Sequence, residues 1–90
     1  MHSYLILLAA VGWYLMLPPV SPKDKKPDLG WALGQPISEW VQNSSFDTAK
    51  DCESTKDQTV ELEKKKQNKI LEDIYLMARC IASDDPRLKP

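Results

Sequence analysis

A chain of 90 residues has room for one small domain, and removal of an apolar leader would leave about 70 to 80 residues, where a core alone is marginal. The net charge is −1, with 12 basic and 13 acidic residues, both signs interspersed through the polar part of the chain. That excludes the electrostatic footprint of a nucleic-acid binder. Two cysteines at no metal or redox spacing, with a lone histidine, His2, in an apolar stretch, exclude a zinc site and call for no cofactor.

Tyr4 to Leu17 is an uncharged apolar run of 14 residues. A spanning helix wants about 20 residues and a signal-peptide core about 7 to 15, so length favours a signal peptide over residues 1–12. Ala10 and Gly12 supply the small residues of a cleavage site, and Ala9 and Ala10 offer earlier ones. Against export, no Lys or Arg precedes the run, and Lys23, Lys25 and Lys26 follow it. The alternatives are a retained anchor, with membrane contact through residues 1–17, or a buried segment of a cytosolic protein.

Trp13 to Leu17, stopped by Pro18-Pro19, predicts a strand at the start of a domain over 13–90. In an anchor, Trp13 and Tyr14 would instead be interfacial aromatics. Residues 18–36 hold five of the seven prolines and all but one glycine, which predicts an irregular loop with Trp31 tucked onto the domain. Ile37 to Phe46 predicts a second strand. Its alternation is imperfect: Trp40, Gln42, Ser44 and Phe46 would share one face and Ile37, Glu39 and Val41 the other. A bulge or early turn at Asn43-Ser44-Ser45, which is also a glycosylation sequon, would mend the pattern.

Thr48-x-x-Asp51 is a capping-box variant: the Thr48 hydroxyl accepts from the Asp51 N–H, and the Asp51 carboxylate reaches back. A helix therefore starts at Thr48 or Ala49, with Phe46 packed over its first turn. Its apolar face is thin, comprising Ala49, Cys52, Thr55, Thr59 and Leu62. Ile70, Leu71, Ile74, Met77, Ala78 and Ile81 keep helical spacing and could carry the helix to Ser83. A Cys52–Cys80 disulfide forbids that. At 1.5 Å per helical residue and about 3.3 Å per extended one, the helix must then end by about residue 72. Asn68 would be its C-terminal cap, and the return would be a strand over Leu76 to Ala82. Asp84-Asp85-Pro86 ends it in a solvated turn.

In an oxidising compartment the two cysteines form one disulfide, closing a loop of about 28 residues for roughly 3 kcal/mol. In the cytosol they are buried thiols. Lys64, Lys65, Lys66 and Lys69, flanked by Glu61, Glu63, Glu72 and Asp73, make a solvated helix face. No serine or cysteine has a histidine base once the apolar start is removed, so no catalytic residue is expected. Trp13, Trp31 and Trp40 are core residues or, less simply, the lining of a ligand groove.

Three phrases occur in order: Trp13-Tyr-Leu-Met-Leu-Pro-Pro19, Ser45-Phe-Asp-Thr-Ala-Lys-Asp-Cys-Glu53 and Ala78-Arg-Cys-Ile-Ala-Ser-Asp-Asp-Pro-Arg-Leu88. Together they resemble a group of short, uncharacterised exported bacterial proteins. The resemblance implies that Cys52 and Cys80 are partners and that the apolar start is a targeting signal; it implies no activity. The expected fold is α+β, strand–loop–strand–helix–strand, an antiparallel sheet with one packed helix and one disulfide, preceded by an N-terminal apolar targeting helix. The expected role is a non-catalytic binding or structural one in the cell envelope, periplasmic or extracellular, toward a protein partner. The alternative is a single-pass accessory peptide docking a larger membrane protein.

Overall fold

The computed structural model describes residues 12–19 and 28–90. The expected targeting helix and most of its cleavage region, and the middle of the Pro-rich loop, lie outside the described residues. Three strands, β1 (Trp13–Leu17), β2 (Val41–Phe46) and β3 (Arg79–Ala82), form an antiparallel sheet in the order β2–β1–β3. Three helices accompany them: α1 (Leu29–Leu33), α2 (Ala49–Lys65) and α3 (Lys69–Met77). Two 3₁₀ turns cover Ile37–Glu39 and Pro86–Leu88. The α+β class is as the sequence predicts, with more helix than expected.

The unbroken apolar run Trp-Tyr-Leu-Met-Leu suits β1 because it is the central strand and both its faces are covered. Leu15, 1% exposed, packs with Cys52 and Ala78, against Trp13, Leu17, Phe46, Tyr75 and Cys80. This is the helix face. Met16 packs with Ile37, Trp40 and Ile81, against Tyr14 and Leu88, on the other face. Pro18-Pro19 stops the strand by withdrawing two ladder donors.

The expected bulge in β2 is present. Ser44 opposes Leu15 and Gln42 opposes Met16, so Asn43 is the extra residue. It moves Phe46 to the helix face and Trp40 to the opposite one, which a regular strand would not allow. The strand itself is shorter than predicted: Ile37–Glu39 is a 3₁₀ turn closed by the Trp40 N–H on the Ile37 carbonyl at 3.0 Å. Pro36 ahead of it, and the need to bring both Ile37 and Trp40 under the sheet, favour a turn over an extended run.

The loop expected over 18–36 is not wholly irregular. Asp28 caps α1, its Oδ1 accepting from the Trp31 N–H at 3.1 Å, and Ala32 is fully buried. A capping side chain before an apolar run outweighs the cost of Gly30 over so short a helix.

Thr48 caps α2 as predicted, its Oγ1 accepting from the Asp51 N–H at 3.0 Å. The main correction lies at the other end. The helix stops at Lys65, within the limit the disulfide sets, but the chain returns as a second helix, α3, and only its last four residues are strand. The turn between them is a Schellman motif. The Gln67 N–H donates to the Lys64 carbonyl at 3.0 Å and the Asn68 N–H to the Glu63 carbonyl at 2.9 Å, with Gln67 at φ 60°. Asn68 thus completes the stop of α2, and its Oδ1 accepts from the Leu71 N–H at 3.2 Å to start α3. It is an N-cap rather than the C-cap expected. Rising about 20 Å from Cys52 to Lys65, the chain recovers that distance over α3 and two or three extended residues.

Candidate functional site

The predicted site residues lie on the helix face. Cys52, fully buried in the second turn of α2, is bonded to Cys80 of β3, with Cα atoms 6.1 Å apart. That distance is ordinary for a disulfide. The bond ties the start of the helical hairpin to the sheet. Thr48 and Asp51 hold the first turn, and only the forward half of the capping box forms. These four residues secure the fold.

A concave feature lies on the opposite face. An open groove of about 540 Å³ runs between the 3₁₀ turn at Ile37–Glu39 and the C-terminal residues. Ile37, Trp40 and Pro36 supply its apolar floor; Arg79, Arg87 and Lys89 supply cations, and Glu39 one carboxylate. Strand alternation explains its composition. Cys80 points to the helices, so Arg79 and Ile81 point to the groove side.

Trp40 is fixed from both sides. Its Nε1–H donates to the Gln35 carbonyl at 3.1 Å, and the Arg79 guanidinium lies 5.6 Å from its ring centroid. An exposed stack of this kind contributes about 0.5 to 1 kcal/mol. Among the described residues Arg79 has no carboxylate partner, so its planar set of donors is held in place and left open. Arg87 is engaged instead: its Nε and Nη2 donate to the Asp85 carboxylate, at 3.1 and 2.9 Å to Oδ1 and Oδ2. Those side-chain bonds, helped by the Arg87 backbone N–H at 2.9 Å, hold the Asp85 carboxyl below its ordinary value. The same carboxylate raises the Arg87 guanidinium.

Of the tryptophans, Trp40 is both core and groove lining, whereas Trp13 packs on the helix face. Asp84-Asp85 does form a turn, with Asp85 capping the 3₁₀ segment that carries Arg87. The lysine cluster lies exposed at the hairpin tip, where Lys66 is 3.5 Å from Glu63 and Lys69 is 3.1 Å from Asp73. That Asp73 contact, first as a hydrogen bond and then as charge, raises Lys69 above its ordinary value. The groove cations went unnoticed in the sequence because Arg79, Arg87 and Lys89 sit among unrelated residues. The signal available was the parity of Arg79 against Cys80.

Among the described residues no three His, Cys, Asp or Glu side chains gather as a metal site, and no helix is long and apolar enough to cross a membrane. No family model, curated protein or solved structure matches the chain.

Proposed function

We propose that this chain is a small exported protein of the cell envelope, non-catalytic, with a binding or structural role toward a protein partner. Its likeness to the short exported bacterial proteins is part of this proposal. The observation that carries it is the Cys52–Cys80 disulfide, which joins the hairpin to the sheet and suits an oxidising compartment.

The anchored alternative is narrowed by the position of β1. Leu15 and Met16 are interior residues of the sheet, so a membrane contact over residues 1–17 is not compatible with this fold along its whole length. An anchor would have to end ahead of β1.

Cell fractionation followed by intact mass, with and without thiol alkylation, tests the proposal. The expected product lies outside the cytoplasm, lacks the apolar leader and resists alkylation until reduced. A cytoplasmic product with two alkylated thiols would overturn it, and a disulfide-bonded product retaining Met1 in the membrane fraction would support the anchored alternative.

A further inference from the structure

We infer that the groove beside Trp40 is the partner site, and that it takes an extended acidic peptide segment carrying apolar side chains between its carboxylates. The inference rests on the binding reading above and gives that partner a chemistry.

Charge complementarity is the first support. The chain is slightly acidic overall, yet the groove gathers the Arg79, Arg87 and Lys89 side chains, and among the described residues Glu39 is the acidic side chain that lines it. Arg87 is already neutralised by Asp85, so Arg79 and Lys89 are the cations left to recognise a ligand. Arg79 is the better placed of the two. Stacking on Trp40 restrains its side chain without consuming an N–H, so a bidentate bond to a carboxylate forfeits little further freedom.

Shape is the second support. The floor of Ile37, Pro36 and Trp40 is apolar, and a pocket of this volume is within the usual range for binding a short ligand segment. The groove is open to solvent, which admits a peptide whose alternate side chains point in and out. A flat bilayer surface would not enter a concavity. The groove also adjoins β3, an edge strand of the sheet, so nothing in the sheet order closes that side.

The test uses the oxidised full chain labelled with ¹⁵N and two acetylated hexapeptides, one alternating leucine with aspartate and one alternating leucine with lysine. The acidic peptide should shift the Trp40 indole and the amides of Ile37 and Arg79, and the lysine peptide should bind at least about tenfold more weakly. Arg79→Gln should weaken the acidic peptide about tenfold, the scale of one charge-assisted hydrogen bond. Should Arg79→Gln fail to fold, Lys89→Gln must still lower the affinity. No groove shift at millimolar acidic peptide would overturn the inference, as would equal binding of the lysine peptide or shifts confined to α3. Sedimentation with phosphatidylglycerol vesicles, in the absence of peptide-induced shifts, would overturn it in favour of a lipid surface. An exported, disulfide-bonded chain that ignores the peptide defeats this inference alone; a cytoplasmic dithiol defeats the functional reading beneath it.

Discussion

Gly12 and Ser83 are bonded twice: the Ser83 N–H donates to the Gly12 carbonyl at 2.8 Å, and the Gly12 N–H donates to Ser83 Oγ at 2.9 Å. The pair extends the β1–β3 ladder by one step beyond Trp13 and Ala82. A Cβ at Gly12 would lie 3.2 Å from the Phe46 carbonyl oxygen, so the residue belongs to the domain by shape as well as by bonding. Cleavage after Gly12 would remove it from the sheet; cleavage after Ala10 would spare it. If a leader is removed, the mature chain is expected to begin no later than Gly12, as intact mass would show. Ser83→Ala should cost about 1 kcal/mol in urea unfolding, since it leaves the half-buried Gly12 N–H without its acceptor. A cost within error would mean that solvent replaces the hydroxyl.

Gln67 occupies the left-handed position of the Schellman turn at φ 60°, where glycine is usual. A side chain there costs about 1 to 2 kcal/mol, partly returned because glycine gains more freedom in the unfolded chain. Gln67→Gly should therefore raise stability by up to about 1 kcal/mol. Chemical denaturation settles the sign: a loss would show that the Gln67 side chain makes a contact worth more than the strain.

That same residue explains where the sequence was legible and where it was not. The start of α2 could be read because Thr48 and Asp51 carry side chains of the right chemistry at the right spacing. The irregularity at Asn43 could be read because a regular strand would put Gln42 and Ser44 on one face with Trp40 and Phe46. The turn into α3 was hidden because Gln67 is not a turn-forming type and Asn68 serves two helices at once. The apolar residues of α3 misled further. Ile70 is 58% exposed and no residue of α3 is buried, so spacing that would normally locate a core face located none. The groove assembles residues 35 to 40 with 79 and 87 to 90, and only the tertiary fold unites them.

Arg87, which lines the groove, is paired with Asp85, and the pair has a defined pH signature. The Asp85 carboxyl is held below the ordinary 3.8, chiefly by the Arg87 side chain. A depressed carboxyl contributes fully above its unfolded value, and the contribution fades as pH falls through the folded one. The 3₁₀ turn at Pro86–Leu88 should thus stay formed through mildly acidic solution and loosen only below the ordinary carboxylate range. Carboxyl-detected NMR titration should place Asp85 below the ordinary carboxylate value, and Arg87→Gln should bring it back up. An unchanged titration in Arg87→Gln would assign the depression to the backbone cap instead.

Glu63 is only 6% exposed, and its Oε2 has no hydrogen-bond partner. Its Oε1 has Lys66 Nζ at 3.5 Å, but that lysine is largely in solvent and gives little back. A buried carboxylate with one weak partner is costly, and replacing it by an apolar side chain of similar size is often neutral or favourable. Glu63→Met should raise the urea midpoint, by about 1 kcal/mol in free energy. A clear loss would show that the carboxylate anchors the hairpin turn through contacts it gains in solution.

The disulfide should matter more than any of these. Cys52 lies under Leu15 and Ala78 at the one point where α2 is buried against the sheet. Beyond it, Glu63 is the helix's only other buried residue, so the apolar contribution of α2 to docking is small. Closing a loop of 28 residues restricts the unfolded chain, and removing such a bond from a small domain costs about 2 to 5 kcal/mol. A domain this size has about 5 to 15 kcal/mol in all. The double variant Cys52→Ala with Cys80→Ala should thus unfold at much lower urea. The loss should appear first as hydrogen exchange in α2 and α3, while the β1–β2 amides keep more of their protection. Reduction of the native chain should reproduce the pattern. A midpoint within error of the native one would mean that packing of Leu15, Tyr75 and Ala78 holds the hairpin without the bond.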